Sequence, residues 1–156
     1  MATAAADLFG VVAYPNILSL DTALEHGAKG TTSTLATGRV VVIPVGTGTW
    51  TTGTSGSAGR AGVIPKLFWG KGVNDTAAST KVVVLTGEGA EVYVEAGGTI
   101  RKGDRVAFDD SGKVKAWTTG DTKVGYYKGH YGEGTGGEPS TDAISGEAIR
   151  IRLGGN

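Results

Sequence analysis

The sequence predicts a mainly β fold: a small β-barrel or sandwich of short antiparallel strands, preceded by an extended N-terminal arm. The 156 residues include 28 glycines, and glycines between clusters of Val and Ile are typical of turns between short strands. Apolar and polar residues alternate over 88–96 and again over 147–153, which is the period of a strand with two different faces. A chain of this length favours one domain with a core of its own.

Residues 1–38 are predicted to form an arm with few contacts to the β domain of residues 39–156. The apolar residues of the arm lack a sustained period, so they need a partner surface to become buried. Short helices are expected over 2–9 and 19–26. With two aromatic residues further along the chain, these apolar residues are candidate contacts with another subunit or a partner: Leu8, Phe9, Val11, Val12, Ile17, Leu18, Phe68 and Trp69.

Two continuous apolar runs, over residues 39–45 and 81–85, predict strands that are covered on both faces. Pro44 cannot donate a backbone hydrogen bond, so we expect it to keep the first run at a sheet edge or to end its pairing early. Residues 46–62, between the two runs, are rich in Gly, Thr and Ser. This composition is typical of a low-complexity excursion.

Residues 88–117 predict a strand followed by a β-hairpin. The strand over 88–96 is expected to bury its Ala and Val side chains and to expose the opposite face, which carries Glu91, Tyr93 and Glu95. The hairpin strands are expected over 105–109 and 113–117. Gly103 and Asp104 are assigned to the turn before the hairpin, and Asp110 and Gly112 to the hairpin turn itself.

The C-terminal part predicts a strand over 123–128, a long glycine-rich loop over 129–147 and a final strand over 147–153. Loops of this length without secondary structure are often functional or mobile. The final strand alternates isoleucine and leucine with arginine, and so regular a strand is expected to pair within the sheet.

Composition excludes several classes of site. Lys plus Arg and Asp plus Glu both number 15, so the net charge is zero, whereas a nucleic-acid-binding protein usually has a basic excess. The chain has no cysteine, which excludes disulfides, thiolate zinc sites and cysteine nucleophiles. No apolar run approaches the roughly 20 residues of a membrane helix. The first residues lack the basic start of a secretion signal.

The residues that most often carry catalysis are few and scattered. His26 and His130 each stand beside a glycine in an expected turn or loop, so both are predicted to be exposed to solvent and neither has a metal-ligand spacing. Asp109 and Asp110 are interpreted as turn residues whose side-chain oxygens accept backbone hydrogen bonds. The sequence therefore predicts no enzymatic activity, no metal, no cofactor, no nucleic-acid partner and no membrane partner.

Four short motifs of the C-terminal half resemble a known family. They are GTIRKGDRV at 98–106, DSGK at 110–113, KVGY at 123–126 and IRIRL at 149–153. In this order, over about residues 80–153, they are similar to the capsid decoration (cement) proteins of tailed bacteriophages, which are small β-rich proteins that stabilise the head.

The resemblance implies a structural protein that binds the outer surface of an expanded phage head and stabilises the shell against internal pressure. Its implied partners are the major capsid protein and further copies of itself, in a homotrimer. Its implied location is the outer capsid surface of the virion, which is assembled in the host cytoplasm. The apolar candidates of the arm, with Phe68 and Trp69, would then contact the shell or a neighbouring subunit.

Two other functions stay open. A carbohydrate- or receptor-binding β module on a virion or cell surface is compatible with the same composition. A carrier domain of the biotinyl or lipoyl kind also places a Gly-Asp pair before an alternating strand and carries its modified lysine in a hairpin. Lys113 lies in a hairpin, but it follows Ser-Gly where those domains flank their lysine with Met or Ala.

Overall fold

A computed structural model describes residues 8–14, 24–28, 38–44, 47–52, 59–65, 81–130 and 142–154. The fold is mainly β, as predicted, with two antiparallel sheets. Within these ranges no helix has the length and apolar character needed to span a membrane. The strands in chain order are β1 (Val12–Tyr14), β2 (Leu24–Ala28), β3 (Val40–Pro44), β4 (Thr51–Thr52), β5 (Gly59–Val63), β6 (Lys81–Leu85), β7 (Glu91–Glu95), β8 (Arg105–Phe108), β9 (Val114–Ala116), β10 (Gly125–His130) and β11 (Ala148–Leu153).

The larger sheet has six strands in the order β1-β7-β11-β10-β8-β9. It curls back on itself, because Ala96, just after β7, forms a parallel bridge with Val114 of β9. The Gly97 N–H also donates to the Val114 carbonyl at 2.7 Å. A Cβ at Gly97 would collide with the Asp109 carboxylate, so a glycine permits this close approach. The result is a half-barrel with an inner, apolar face and an outer face.

The smaller sheet has five strands in the order β2-β6-β5-β3-β4. One of its faces contributes Val40, Val63 and Leu85 to the main core, which it shares with the inner face of the larger sheet. A second cluster of Val41, Trp50, Ile64 and Val84 is buried on this sheet as well. The continuous apolar runs of β3 and β6 are therefore buried through both sets of side chains, as the sequence predicts.

The hairpin of β8 and β9 joins the two sheets. Its strands pair from Val106 with Ala116 to Phe108 with Val114, which confirms the predicted hairpin. The turn then contacts β3, where the Val40 N–H donates to the Gly112 carbonyl at 2.8 Å. Phe108 is buried in the shared core. The hairpin is therefore part of both the sheet and the junction between sheets.

The N-terminal region differs from the predicted arm. Within residues 1–38, β1 pairs with β7 and β2 pairs with β6, so for these two segments the expectation of few contacts is wrong. The helix predicted over 19–26 is wrong where the structure describes it, because Leu24–Ala28 is a strand. Most of the helix predicted over 2–9 lies outside the described residues. Pairing with a neighbouring strand gives these segments a structure that their own sequence does not specify.

Of the two effects expected of Pro44, the edge position is wrong, because β3 lies between β5 and β4 in the sheet. The strand does end at Pro44, and the pairing with β4 reaches only Val41 and Val42. The predicted strands over 88–96, 123–128 and 147–153 correspond to β7, β10 and β11, which are adjacent in the larger sheet. Residues 131–141 of the predicted loop lie outside the described residues.

Candidate functional site

The outer face of the larger sheet carries the most charged side chains that the fold brings together. Register pairs Glu91 of β7 with Arg152 of β11, and Tyr93 with Arg150. Directly paired residues lie on the same face of a sheet. The acidic and aromatic side of β7 and the basic side of β11 therefore meet, which the alternation within each strand does not reveal when it is considered alone.

Glu91 lies at the centre of a buried ion cluster. Its side chain is 0% exposed and that of Arg150 is 1% exposed. The Arg150 Nε lies 2.8 Å from Glu91 Oε1, and Arg152 donates to Glu91 Oε2 through Nη2 at 2.7 Å and Nε at 3.1 Å. Arg150 Nη2 also donates to the Lys128 carbonyl at 3.0 Å. One carboxylate thus meets two guanidinium groups.

The burial of Glu91 and Tyr93 makes the predicted solvent-exposed face wrong at these positions. A charged carboxylate can be buried when an opposite charge and hydrogen bonds replace the water it loses. The signal present in the sequence is the match between EVYVE at 91–95 and AIRIRL at 148–153, in which acids and arginines occupy alternate positions. The register between these two strands depends on residues that are distant in sequence, so the contact between Glu91 and the arginines cannot be predicted from either segment alone.

Next to the buried cluster, the same face becomes cationic and accessible. Tyr126 of β10 pairs with Arg152 on one side and with Arg105 of β8 on the other. The register of β10 shifts between Tyr127 and Gly129, which makes Lys128 the extra residue of a bulge beside this row. We name Arg105, Tyr126, Lys128 and Arg152 the cationic row. Arg105 is exposed, the Arg152 side chain is 36% exposed, and the other two are half-buried.

A shallow cavity of about 240 Å³ opens at the cationic row. It is lined by Tyr126, Lys128 and Arg152 of the row, with Gly103 and Tyr127. A Cβ at Gly103 would meet no atom within 4 Å, so this side of the cavity is open. Its lining combines aromatic rings and positive charges, the residue types that are enriched where proteins recognise anionic partners.

A second ion cluster lies where the two sheets meet. Arg39, just before β3, binds Glu95 Oε2 through Nη2 at 2.8 Å. Lys113 of the hairpin turn binds Glu95 Oε1 at 3.2 Å. The Glu95 side chain is 14% exposed, so water reaches this cluster more easily than the one at Glu91. Lys113 is the lysine that a carrier domain would present for modification, and here its ammonium group is paired with Glu95.

The predicted turn residues are confirmed at the two glycines and at Asp104. Gly103 and Gly112 have φ values of +82° and +78°, a conformation that favours glycine. The Asp104 side chain accepts the Arg101 N–H at 2.8 Å. In the hairpin turn, Asp109 Oδ1 accepts hydrogen bonds from the Ser111 N–H, the Ser111 hydroxyl and the Lys113 N–H, and Asp110 lies in the same turn. Asp110 is exposed.

Both histidines were predicted to lie in turns or loops, but both lie in strands. His26 is in β2, opposite Val83. His130 ends β10, and its side chain is 20% exposed, so its predicted solvent exposure is wrong. The Tyr127 hydroxyl contacts His130 Nδ1 at 2.9 Å, and His130 Nε2 lies 2.8 Å from Glu147 Oε2. Glu147 also accepts the Ile144 N–H at 2.8 Å, so this network joins the end of β10 to the segment before β11.

The loop after β9 is organised by Asp121. Its carboxylate accepts hydrogen bonds from the Thr118 N–H at 3.0 Å and the Thr118 hydroxyl at 2.8 Å, and it pairs with Lys115 at 3.2 Å. Burial by itself raises the pKa of Asp121, but the Thr118 hydrogen bonds and the Lys115 charge outweigh it and lower the pKa below its ordinary value. The Trp117 indole N–H donates to the Asp121 carbonyl, and the Lys123 ammonium lies 5.8 Å from the Trp117 ring.

The apolar contact candidates lie apart from the cationic row. Leu8, Phe9, Val11 and Val12 are half-buried, and Val12 packs against the main core. Ile17, Leu18, Phe68 and Trp69 lie outside the described residues. Among the described residues, Ile144 is a large apolar side chain with 59% exposure, and the sequence did not single it out.

No three His, Asp or Glu side chains among the described residues converge as they would around a metal ion. No family model, no curated protein and no solved structure matches this chain. The function is therefore argued from the geometry of the described residues and from the sequence motifs.

Proposed function

We propose that this chain is a non-enzymatic capsid decoration protein that binds the outer surface of a tailed-phage head, as a homotrimer, and stabilises the expanded shell. One observation carries the proposal. The four motifs that resemble such proteins, which are separated in sequence, lie on the adjacent strands β11, β10 and β8, on the turn before β8 and on the hairpin turn between β8 and β9. The resemblance therefore describes one continuous piece of the fold.

The geometry of that piece suits a protein that must keep its shape under load. The turn carboxylates of Asp104 and Asp109 accept backbone hydrogen bonds, and Glu91 pairs with two arginines. Each of these groups fixes a strand or a turn. A subunit with a fixed shape loses little conformational freedom on binding, so more of its contact energy is available for affinity.

A homotrimer would bind the shell through several weak contacts at once. Linked copies that bind together gain affinity through effective concentration, with no need for a large contact by each subunit. In a homotrimer the exposed part of the cationic row would be present three times. A shell built from repeated subunits offers matching sites at matching intervals.

The proposal is tested by sedimentation with shells assembled from the major capsid protein of a tailed phage, the proposed partner. We expect the chain to sediment with expanded shells, to saturate at a fixed ratio to the shell subunits, and to bind unexpanded shells less. Size-exclusion chromatography with light scattering should give the mass of a trimer for the free protein. A chain that stays in the supernatant with expanded shells is not a decoration protein.

A second candidate function is recognition of an acidic carbohydrate on a virion or cell surface. The observation that favours it is the cavity at Gly103, Tyr126, Lys128 and Arg152, where an aromatic ring lies beside positive charges. Binding to a glycan array would favour this function if a sialylated or sulfated glycan bound at micromolar concentration. Binding to shells in the absence of glycan binding favours decoration.

A further inference from the structure

We propose that the cationic row is a binding site for a carboxylate-bearing segment of a partner protein. That this partner is the shell protein rests on the proposed function, whereas the chemistry of the site does not. The row consists of Arg105, Tyr126 and Arg152 on three adjacent strands, with Lys128 at the bulge beside them. It therefore places three positive charges around one tyrosine.

The buried Glu91 carboxylate fixes the orientation of the Arg152 guanidinium. Both Nε and Nη2 donate to the same oxygen of Glu91, so this edge of the guanidinium is occupied. Within the described part of the chain, Arg152 makes no other side-chain hydrogen bond or ion pair. Its Nη1 edge is available to a ligand, and a planar guanidinium fixed in this way is suited to a carboxylate.

Among the described residues, the other two cations have no counter-ion of their own. Arg105 and Lys128 form no side-chain ion pair within the ranges that the structure describes. Glu91 balances one of its two arginines, so the neighbourhood keeps a positive excess that an acidic ligand would neutralise. Complementary charge of this kind steers association and selects the partner.

The spacing of the row fits a protein segment. Adjacent strands lie about 4.8 Å apart, so the backbones at Arg105 and Arg152 are separated by about 10 Å, the length of roughly three residues of an extended chain. Side chains of an extended segment share a face at every second residue, about 7 Å apart, so two carboxylates two residues apart can each meet one arginine if the long side chains span the remaining distance. Tyr126 lies between them, and tyrosine and arginine are both enriched in protein–protein interfaces.

A nucleic acid fits this face less well. Nucleic-acid backbones bind most tightly to proteins that present many cations along a continuous path, whereas the row is short and one of its arginines is already paired with Glu91. The whole chain is neutral. The observations therefore favour a short acidic protein segment.

The test is an NMR titration of the full chain with a hexaglutamate peptide at low salt. We expect shift changes centred on Tyr126 and the adjacent strands, and binding that weakens as salt is added. The double variant Arg105→Gln, Lys128→Gln should weaken binding about tenfold. The matched control is Arg60→Gln, which removes an exposed positive charge from β5 of the other sheet and should leave the affinity unchanged.

Thermal melting shows whether the double variant keeps its fold, which we expect because neither side chain forms an ion pair among the described residues. If it does not, Tyr126→Phe and Arg105→Gln alone should each weaken binding in a folded protein. The proposal is wrong if the variants bind hexaglutamate as tightly as the original chain. It is also wrong if a single-stranded oligonucleotide or a heparin fragment binds the row more tightly at the same salt concentration.

Shell sedimentation separates this proposal from the proposed function. If the original chain sediments with shells and the folded double variant does so equally well, the row is not the shell contact and decoration stands. If neither binds shells but hexaglutamate binds in a row-dependent manner, decoration is wrong and the carboxylate site stands with another partner.

Discussion

Two glutamates on the same strand show how differently one charge pattern can act. Glu91 and Glu95 lie four residues apart in β7, and each binds two cations. The partners of Glu91 come from β11 of the same sheet, and its side chain is fully buried. The partners of Glu95 come from the start of β3 and from the hairpin turn, and water reaches them. Burial, rather than the number of ion pairs, decides how strongly each glutamate matters.

The largest effect is expected from Glu91→Gln. The change keeps the size of the side chain but removes the carboxylate charge that pairs with the buried Arg150 guanidinium, which should lower the free energy of unfolding by about 3–5 kcal/mol. Chemical denaturation followed by circular dichroism measures the loss. The double variant Glu91→Leu, Arg150→Met removes both charges and should recover much of the stability. A Glu91→Gln protein that is as stable as the original would show that the buried charge has another partner.

A smaller effect is expected at the junction between the sheets, from Gly112→Ala. The residue has a positive φ, and a Cβ would lie 2.9 Å from the Val40 carbonyl oxygen, so both the backbone and the contact with β3 are strained. We expect a loss of about 2–3 kcal/mol. Gly103→Ala is the matched control, since its φ is similar but its surroundings are open, and it should cost only about 1 kcal/mol. Equal losses would mean that the contact with β3 adds nothing.

A still smaller effect is expected from Glu95→Gln. Arg39 and Lys113 have side chains that are 25% and 31% exposed, so water can solvate them when the carboxylate charge is removed. The free energy of unfolding should fall by less than about 1 kcal/mol, and the remaining difference should shrink in high salt. A loss as large as that of Glu91→Gln would contradict the comparison between the two glutamates.

The smallest effect is expected from Asp121→Asn, and it should depend on pH. Because the folded protein lowers the pKa of Asp121, this group stabilises the fold above its unfolded pKa, and the contribution is lost as the pH falls through the folded pKa. The difference in melting temperature between the original chain and Asp121→Asn should therefore shrink between about pH 6 and about pH 3. The exposed Asp110, changed to Asn, serves as the control. A difference that grows toward low pH would reverse the assigned sign.

The sequence predicts the parts of this fold that are specified locally. The hairpin of β8 and β9 follows from a period of two on either side of an Asp-Asp-Ser-Gly turn, and both signals lie within a few residues of each other. Gly103 and Gly112 follow from the same turn chemistry. The alternation of β11 likewise specifies a strand, although not its neighbours.

The parts that the sequence does not predict depend on distant partners. Whether the Glu91 face of β7 is wet or buried is decided by β11, about sixty positions further along the chain, and the same pairing creates the cationic row. The strands β1 and β2 carry no sustained alternation of apolar and polar residues, and they acquire their structure by pairing with β7 and β6. His130 ends β10 rather than lying in the predicted loop. Its contact with Glu147 joins residues that are distant in sequence, so no local pattern reveals it.

The measurement that tests the central proposal most directly is calorimetry of shells with and without this protein. Expanded shells assembled from the major capsid protein of a tailed phage, the proposed partner, are heated bare, with the original chain, and with the Glu91→Gln variant. If the chain is a decoration protein, the decorated shells should disassemble several degrees above the bare shells, and the destabilised variant should protect them less. If the original chain is bound at saturation and the disassembly temperature is unchanged, the chain does not stabilise the shell and the proposed function is wrong.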